Sequence, residues 1–360
     1  MIFLLPIFLV ISFLISFAIT PFVISFARKY GFVDDPTKRP HPAHTHKGVI
    51  PRAGGIAIFL GIFIPIFFVL PQNKIFWGIF AAAALIIVTG LWDDKKDRSP
   101  YIRFGLNILS ALIAVLSGIG IPYITNPLGG IIRLDTIRFT FSFFGDHSIL
   151  LFADLFALIW IVWCMNMVNW SKGVDGQMPG FVAISSLVIG LLSLRFIDQD
   201  IGQISVTYLA FLTAGSFLGF LPWNFYPQKI MPGYGGGALA GFMLAVLSIF
   251  SYGKLGTMIL VLGIPLADAV YTMGRRIFSG KSPFKPDREH LHHKLLSLGW
   301  GRRRIALFYW TISAVLGIIA LNLSSGQKAF AMVLVLMLIV GFILWVSRIS
   351  RLSYGTDEEI

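Results

Sequence analysis

The chain has 360 residues, 56% of them hydrophobic and 13% charged, with a mean hydropathy of +0.80. Soluble domains carry about 25% charged residues, so this composition excludes a soluble globular protein and describes a polytopic membrane protein. The net charge of +12 is spread over short loops beside apolar runs rather than gathered in a soluble domain. No nucleic-acid partner is therefore expected, and membrane lipid heads and phosphate-bearing substrates fit the charge better.

A helix needs about 20 apolar residues to cross roughly 30 Å of hydrocarbon. Such runs fall at 2–26, 53–70, 75–92, 103–121, 149–168, 181–196, 204–222, 235–251, 256–274, 304–322 and 329–347. Several are short or interrupted by Gly and Pro, and one of them has room to be re-entrant. The expected fold is all-α, a polytopic integral membrane helical protein with about 10–11 transmembrane helices. The first run lacks a basic leader and continues through Pro21 to Arg28, which reads as an uncleaved first helix. Loops after spans 1, 3, 5, 7 and 9, with the tail, hold 23 Lys and Arg, against six on the other side. That asymmetry places these loops in the cytoplasm and the N-terminus outside. The single cysteine, Cys164, lies within a span and reads as a small packing residue. Between spans 4 and 5, Gly129-Gly130 followed by apolar alternation from Ile131 to Phe144 predicts a short outer hairpin. The chain reads as one membrane-embedded domain, 1–360, with chemistry-bearing cytoplasmic loops near 29–52, 93–103, 169–180, 223–236 and 275–303.

Charged residues are rare here, so their clusters carry information. Asp93, Asp94 and Asp97 end span 3, with Asp93 and Asp97 on one face if the helix runs one turn further. Adjacent carboxylates repel and have little packing use at a membrane boundary; Lys95, Lys96, Arg98 and Arg103 are the nearby cations. A solvated helix end with ordinary ion pairs is the plainer alternative. After span 5, Asn166 and Asn169 are one turn apart and Asp175 sits in a glycine-flanked turn. Taken alone, that segment equally suits a polar helix end. The glycines from Gly233 to Gly237 enter span 8, where bare N–H groups would suit a phosphate or simply a flexible turn. In the loop after span 9, Arg275, Arg276, Lys281, Lys285 and Arg288 precede His290, His292 and His293. Zinc is the less favoured ligand because His292 leaves the face shared by His290 and His293, and basic neighbours oppose a cation. An anion such as phosphate suits the cluster better.

These loops together resemble the polyprenyl-phosphate N-acetylhexosamine-1-phosphate transferases. The likeness runs from Asp35-Pro36 through Gly299 and rests on Gly90-Leu-Trp-Asp93-Asp94-Lys-Lys-Asp97, on Asp287-Arg-Glu-His290-Leu-His292-His293, on His46 to Gly55, and on Pro265-Leu-Ala-Asp268. The resemblance implies a UDP-N-acetyl sugar donor, a polyprenyl phosphate acceptor, UMP release, Mg²⁺, a homodimer, and an active site on the cytoplasmic side of the cell's inner membrane. It implies catalytic roles for Asp93, Asp94, Asp97, His290, His292 and His293, with Asp93 accepting a residual proton or positioning the lipid phosphate. It gives substrate-binding roles to Asn166, Asn169, Lys172, Asp175, Arg288, Lys47, Arg52 and Arg103. The histidine motif leans toward a GlcNAc-type donor.

Two positions depart from the family pattern: Lys172 stands where the family has Asp in the Asn-x-x-Asn loop, and Tyr234 where it has the Asp that holds Mg²⁺. Asn169 then remains as a metal donor without its usual carboxylate. The exchange removes two carboxylates and adds one ammonium, so Lys172 is expected to replace part of the charge that Mg²⁺ would bring. The alternative is a catalytically impaired member that binds lipid phosphate or nucleotide sugar.

Overall fold

A computed structural model describes residues 5–38, 45–46, 48–126, 129–142, 146–250, 254–282 and 288–355. All eleven apolar runs form helix. They are α1 (Leu5–Tyr30), α2 (Gly55–Val69), α3 (Lys74–Lys96), α4 (Pro100–Leu116), α5 (Leu151–Trp170), α6 (Gln177–Leu194), α7 (Gln203–Asn224), α8 (Gly233–Ile249), the broken pair α9 (Lys254–Val261) and α10 (Gly263–Phe278), and, beyond a short α11 (Leu291–Ser297), α12 (Arg302–Asn322) and α13 (Ser325–Gly355). The chain is an all-α, multi-pass membrane protein.

The eleven helical runs match the expected 10–11 and fall into two length groups. Seven helices are long and apolar enough to cross a membrane unaided, and eight if the broken pair is one span. At 1.5 Å per residue, α2, α4 and α8, of 15, 17 and 17 residues, reach only about 23–26 Å. The ninth run is not one straight helix: it bends by 81° between α9 and α10, where Gly263 and Pro265 follow Leu262.

α8 is the centre of the molecule, with every residue from Gly233 to Ser248 buried. It packs against α3, α5 and α2, while α1 lies against α7 and α2, and α6 against α7 and α12. Small residues make these approaches possible, as expected where packing rather than hydrophobic expulsion drives helix association. A Cβ on Gly90 of α3 would fall 2.3 Å from Gly235 Cα, one on Gly55 of α2 2.6 Å from Gly236 N, and one on Gly241 2.2 Å from Cys164 O of α5. Of the glycines entering α8, which by sequence suit either a phosphate or a flexible turn, Gly235 and Gly236 serve close helix packing, while Gly233 lines a cavity. Gly241→Ala is expected to cost about 1–3 kcal/mol by overpacking against backbone, read as a lower unfolding temperature in detergent. Cys164 is fully buried at this contact, in its expected packing role. Large apolar side chains such as Phe22, Phe68, Val88 and Phe330 point outward, toward the lipid of a membrane.

The stretch between α4 and α5, expected to form one hairpin, forms two. β3 (Tyr123–Thr125) pairs antiparallel with β4 (Ile131–Arg133) around Gly129 and Gly130, both at positive φ. β5 (Arg138–Ser142) then pairs with β6 (Asp146–Leu150). At the opposite end, β1 (Val33–Asp34) pairs with β2 (Ile50–Pro51), placing Asp34 opposite Ile50 and close to Arg52. Met231 N–H donates to Pro51 O (2.7 Å), and Gly54 and Gly55 N–H donate to Met231 O and Pro232 O (3.1 and 2.9 Å). The first loop is thereby pinned to the entry of α8.

Candidate active site

α3 ends at Lys96 and is capped by Asp97, whose left-handed φ of 44° turns the chain and whose N–H donates to Asp93 O (2.8 Å). Ser99 caps α4, with Pro100 at its first position, where a missing N–H costs nothing. This tight turn brings Arg103 back onto α3. Its Nε donates to Asp93 Oδ1 (2.6 Å), its Nη2 donates to Asp97 Oδ1, and the Arg98 N–H adds a second bond to Asp93 Oδ1 (2.9 Å). Asp93 and Asp97 do share a face, held there by one guanidinium.

Asp94 lies on the other side of α3. It accepts from the Tyr234 N–H (2.9 Å) and pairs with Arg52 Nη2 (3.1 Å), while Arg52 Nη1 lies 3.6 Å from Asp34. Asp34 also meets His46 Nε2 at 3.4 Å. Arg52 thus bridges two buried carboxylates from different loops.

Five loops close round a cavity of ≈ 570 Å³. Asp97, Arg98 and Arg103 line it from the α3–α4 turn; Asn166, Asn169 and Lys172 from the end of α5; Tyr234 from α8; and Arg276, His290, His292 and His293 from the last loop. Arg52, Asp34 and His46 complete it from the first loop. The loops assigned to one side by charge do meet at one end of the bundle. Five cations line the cavity against two carboxylates.

Asn166 donates to Val162 O (2.7 Å), and Asn169 Oδ1 is buried without a hydrogen-bond partner. That oxygen lies against Gly237 of α8, where a Cβ would fall 2.4 Å from it, so Asn169 packs on α8 while other atoms of the residue line the cavity. Lys172 donates to Gly233 O (2.7 Å) with its ammonium over the Tyr234 ring (5.9 Å). Burial pushes this ammonium well below the usual lysine range, to about 7, and Asp94 offsets only part of that shift.

The three imidazoles stand together, correcting the expectation that His292 points away. His290 opens α11 and donates from Nδ1 to Asp268 Oδ2 (2.8 Å), while Leu291 N–H donates to Asp268 Oδ1 (2.8 Å). Holding Nδ1 in this way leaves Nε2 for the cavity. His292 stacks on His290 at 5.7 Å and lies 4.3 Å from His293, centroid to centroid. Burial, then the neighbouring His293 and His290, holds His292 well below the ordinary histidine range. The unfolded chain takes up this proton near pH 6.5 and the folded one does not. His292 therefore withdraws stability as pH falls below about 6.5, and His292→Gln should remove part of the loss in unfolding temperature between about pH 6.5 and 5.5.

Several expected site residues sit elsewhere. Asp93 and Asp94 lie behind the wall, 2% and 5% exposed, and act on the cavity through Arg103 and Arg52. Asp175 also lies behind it, accepting from Gln228 N–H (3.2 Å) and facing Arg302 at 3.6 Å. Arg288 is exposed and outside the cavity lining. Lys47 and Asp287 lie outside the described residues. Asp34 is not singled out by sequence, and Arg276 and Asp268, named there without roles, gain them here; the signal available was a carboxylate or guanidinium at the end of an apolar run.

The donor set suits an anion better than a cation. Among the described residues no three His, Cys, Asp or Glu converge to hold a metal ion. Mg²⁺ needs near-octahedral oxygen ligands, usually including one or two carboxylates. Here Asp34, Asp93, Asp94 and Asp97 are each engaged by an arginine.

A membrane bundle with a cationic, imidazole-bearing cavity at one end defines a class of membrane enzyme acting on phosphate esters. The chain belongs to glycosyl transferase family 4, whose model matches residues 76–252. A decaprenyl-phosphate N-acetylglucosaminephosphotransferase of Mycobacterium leprae is 31% identical over 319 residues, covering 79% of this chain and 75% of that protein. A probable undecaprenyl-phosphate N-acetylglucosaminyl 1-phosphate transferase of Bacillus subtilis is 29% identical over 339 residues, 92% of this chain and 88% of the relative. An undecaprenyl-phosphate alpha-N-acetylglucosaminyl 1-phosphate transferase of Thermotoga maritima is 29% identical over 310 residues, 86% and 88% respectively.

Proposed function

We propose that the protein is a phosphoglycosyl transferase that moves N-acetylglucosamine 1-phosphate from its UDP-sugar to a polyprenyl phosphate at the cytoplasmic face of the inner membrane. An oxygen of the lipid phosphate attacks the β-phosphorus; the bond from that phosphorus to the bridging oxygen breaks, and UMP leaves with the oxygen. The observation that carries this reading is the cationic cavity closed by the five loops, in a chain of this family.

A phosphate monoester has its second pKa near about 6, so the nucleophile is largely ionised and a strong base is unnecessary. Gathering three phosphates is the harder task, and it calls for fixed cations and donors. Arg52, Arg103, Lys172 and Arg276 supply the charge, and the imidazoles supply further donors. Asp93 positions Arg103, and Asp94 positions Arg52 and the start of α8. The prenyl chain lies along apolar helix faces, where lipid already offers equivalent surroundings, so acceptor recognition rests on its phosphate.

The test is transfer of radiolabelled UDP-GlcNAc to undecaprenyl phosphate by purified protein in detergent. Product is expected from the wild type, and Asp93→Asn, which loosens Arg103, should lower the rate about 10²-fold. No product from any UDP-N-acetyl sugar, with the protein folded and nucleotide bound, would leave a binding protein in its place.

A further inference from the structure

We propose that this cavity binds the diphosphate of its nucleotide sugar without a divalent cation, Lys172 supplying charge and donors where a metal would otherwise bridge phosphate oxygens. The inference deepens the reading above and rests on it for the identity of the nucleotide sugar.

Three observations carry it. The first is the pairing of the acids. Arg103 takes Asp93 and the exposed Asp97, and Arg52 takes Asp34 and Asp94, so a cation seeking the three buried carboxylates, Asp34, Asp93 and Asp94, would have to displace guanidinium groups from them. Breaking such pairs is costly because the freed charges stay buried. The second is the sign of the wall: Arg52, Arg98, Arg103, Lys172 and Arg276 face the cavity with only Asp34 and Asp97 as acids. A second positive ion is repelled there, whereas a diphosphate is attracted.

The third is the placement of Lys172 itself. An ammonium has three N–H donors, and Lys172 spends one on Gly233 O at 2.7 Å. That bond aims the amine across the start of α8, with the Tyr234 ring behind it. Two donors remain for phosphate oxygens. The same helix start gives its Tyr234 N–H to Asp94, so the backbone there is committed and the side chain of Lys172 is the group that reaches the ligand. Tyr234 is 6% exposed, with its hydroxyl 3.5 Å from Arg103 O; it fills the wall and offers no carboxylate oxygen.

The test is calorimetric binding of UDP to the purified full-length protein in detergent, once in EDTA and once in millimolar Mg²⁺. The expected result is the same affinity in both, within about twofold. Lys172→Ala should weaken UDP binding about tenfold or more in either buffer, the effect of losing one charge-assisted hydrogen bond. Lys172→Gln, which keeps a donor for Gly233 O, should lose affinity nearly as far and controls for local collapse. Lys172→Asp should bind UDP measurably only with Mg²⁺. The proposal is overturned if EDTA weakens wild-type binding tenfold or more, if Lys172→Gln binds like the wild type, or if UDP does not bind a cooperatively melting protein in either buffer. Metal-free UDP binding without sugar phosphate transfer would instead overturn the transferase reading and leave this inference standing. Transfer that requires Mg²⁺, together with Mg²⁺-dependent UDP binding, would do the reverse.

Discussion

Replacing Arg52 by alanine is expected to destabilise the protein by about 3–5 kcal/mol, the range for removing one partner of a buried ionic network. The guanidinium stands between Asp94 at 3.1 Å and Asp34 at 3.6 Å, and all three side chains are at most 12% exposed. Without it, Asp94 keeps the Tyr234 N–H and the nearby Lys172, whose ammonium burial already weakens, and Asp34 keeps His46, so neither carboxylate retains a permanently charged partner. The measurement is thermal unfolding in detergent, where a drop of several degrees is expected. Arg52→Lys should fall between, because a single ammonium cannot hold both carboxylates in the fork geometry. Adding Asp94→Asn to Arg52→Ala should recover part of the loss by removing the stranded charge. If the double variant is no more stable than Arg52→Ala alone, the cost comes from packing and the electrostatic account is wrong.

Gly173→Val should abolish most turnover while leaving much of the fold intact. A Cβ at this position would lie 1.9 Å from His292 Nε2 and 2.2 Å from its Cδ2, so either the imidazole or the loop must move. The loop has little room, because Gly173 O accepts from Thr45 (3.1 Å) and the neighbouring Lys172 is tied to Gly233 O. His292 is the side chain that yields, and its displacement disturbs His290 and His293, which pack against it. Misplacing a site group by about 1 Å costs on the order of 10²-fold in rate, and a loss of that size in sugar phosphate transfer is expected. Unfolding temperature should change far less than in the Arg52 variant. Wild-type turnover in Gly173→Val would show that the imidazole cluster does not need its present position.

Much of the architecture is legible without coordinates because a bilayer imposes a simple rule: backbone polar groups must be satisfied within a helix, so each long apolar run becomes one. All eleven runs obey it, and the distribution of Lys and Arg correctly grouped the five chemistry-bearing loops at one end. Local chemistry was readable too. Asp93 and Asp97 share a face as their spacing requires, and Asn166 and Asn169 both reach the cavity. Periodicity could not reveal that three helices are short or that the ninth run bends by 81°, since length and hydropathy say nothing of depth or direction.

The sequence by itself determined the membrane class, the helical framework and the residue types available for phosphate chemistry, because those follow from composition and near-neighbour spacing. Only the tertiary structure decided which carboxylates face the cavity and which stand behind it. It assigned Arg52 to Asp94 across 42 positions and Asp268 to His290 across 22. It also placed the Gly233–Gly237 stretch, which by sequence suits either a phosphate or a flexible turn, in a helix contact, through the close approach of Gly90, Gly55 and Asn169. Pairings between distant loops depend on how the helices stack, and that stacking is set by the shapes of many side chains at once, beyond the reach of any local pattern.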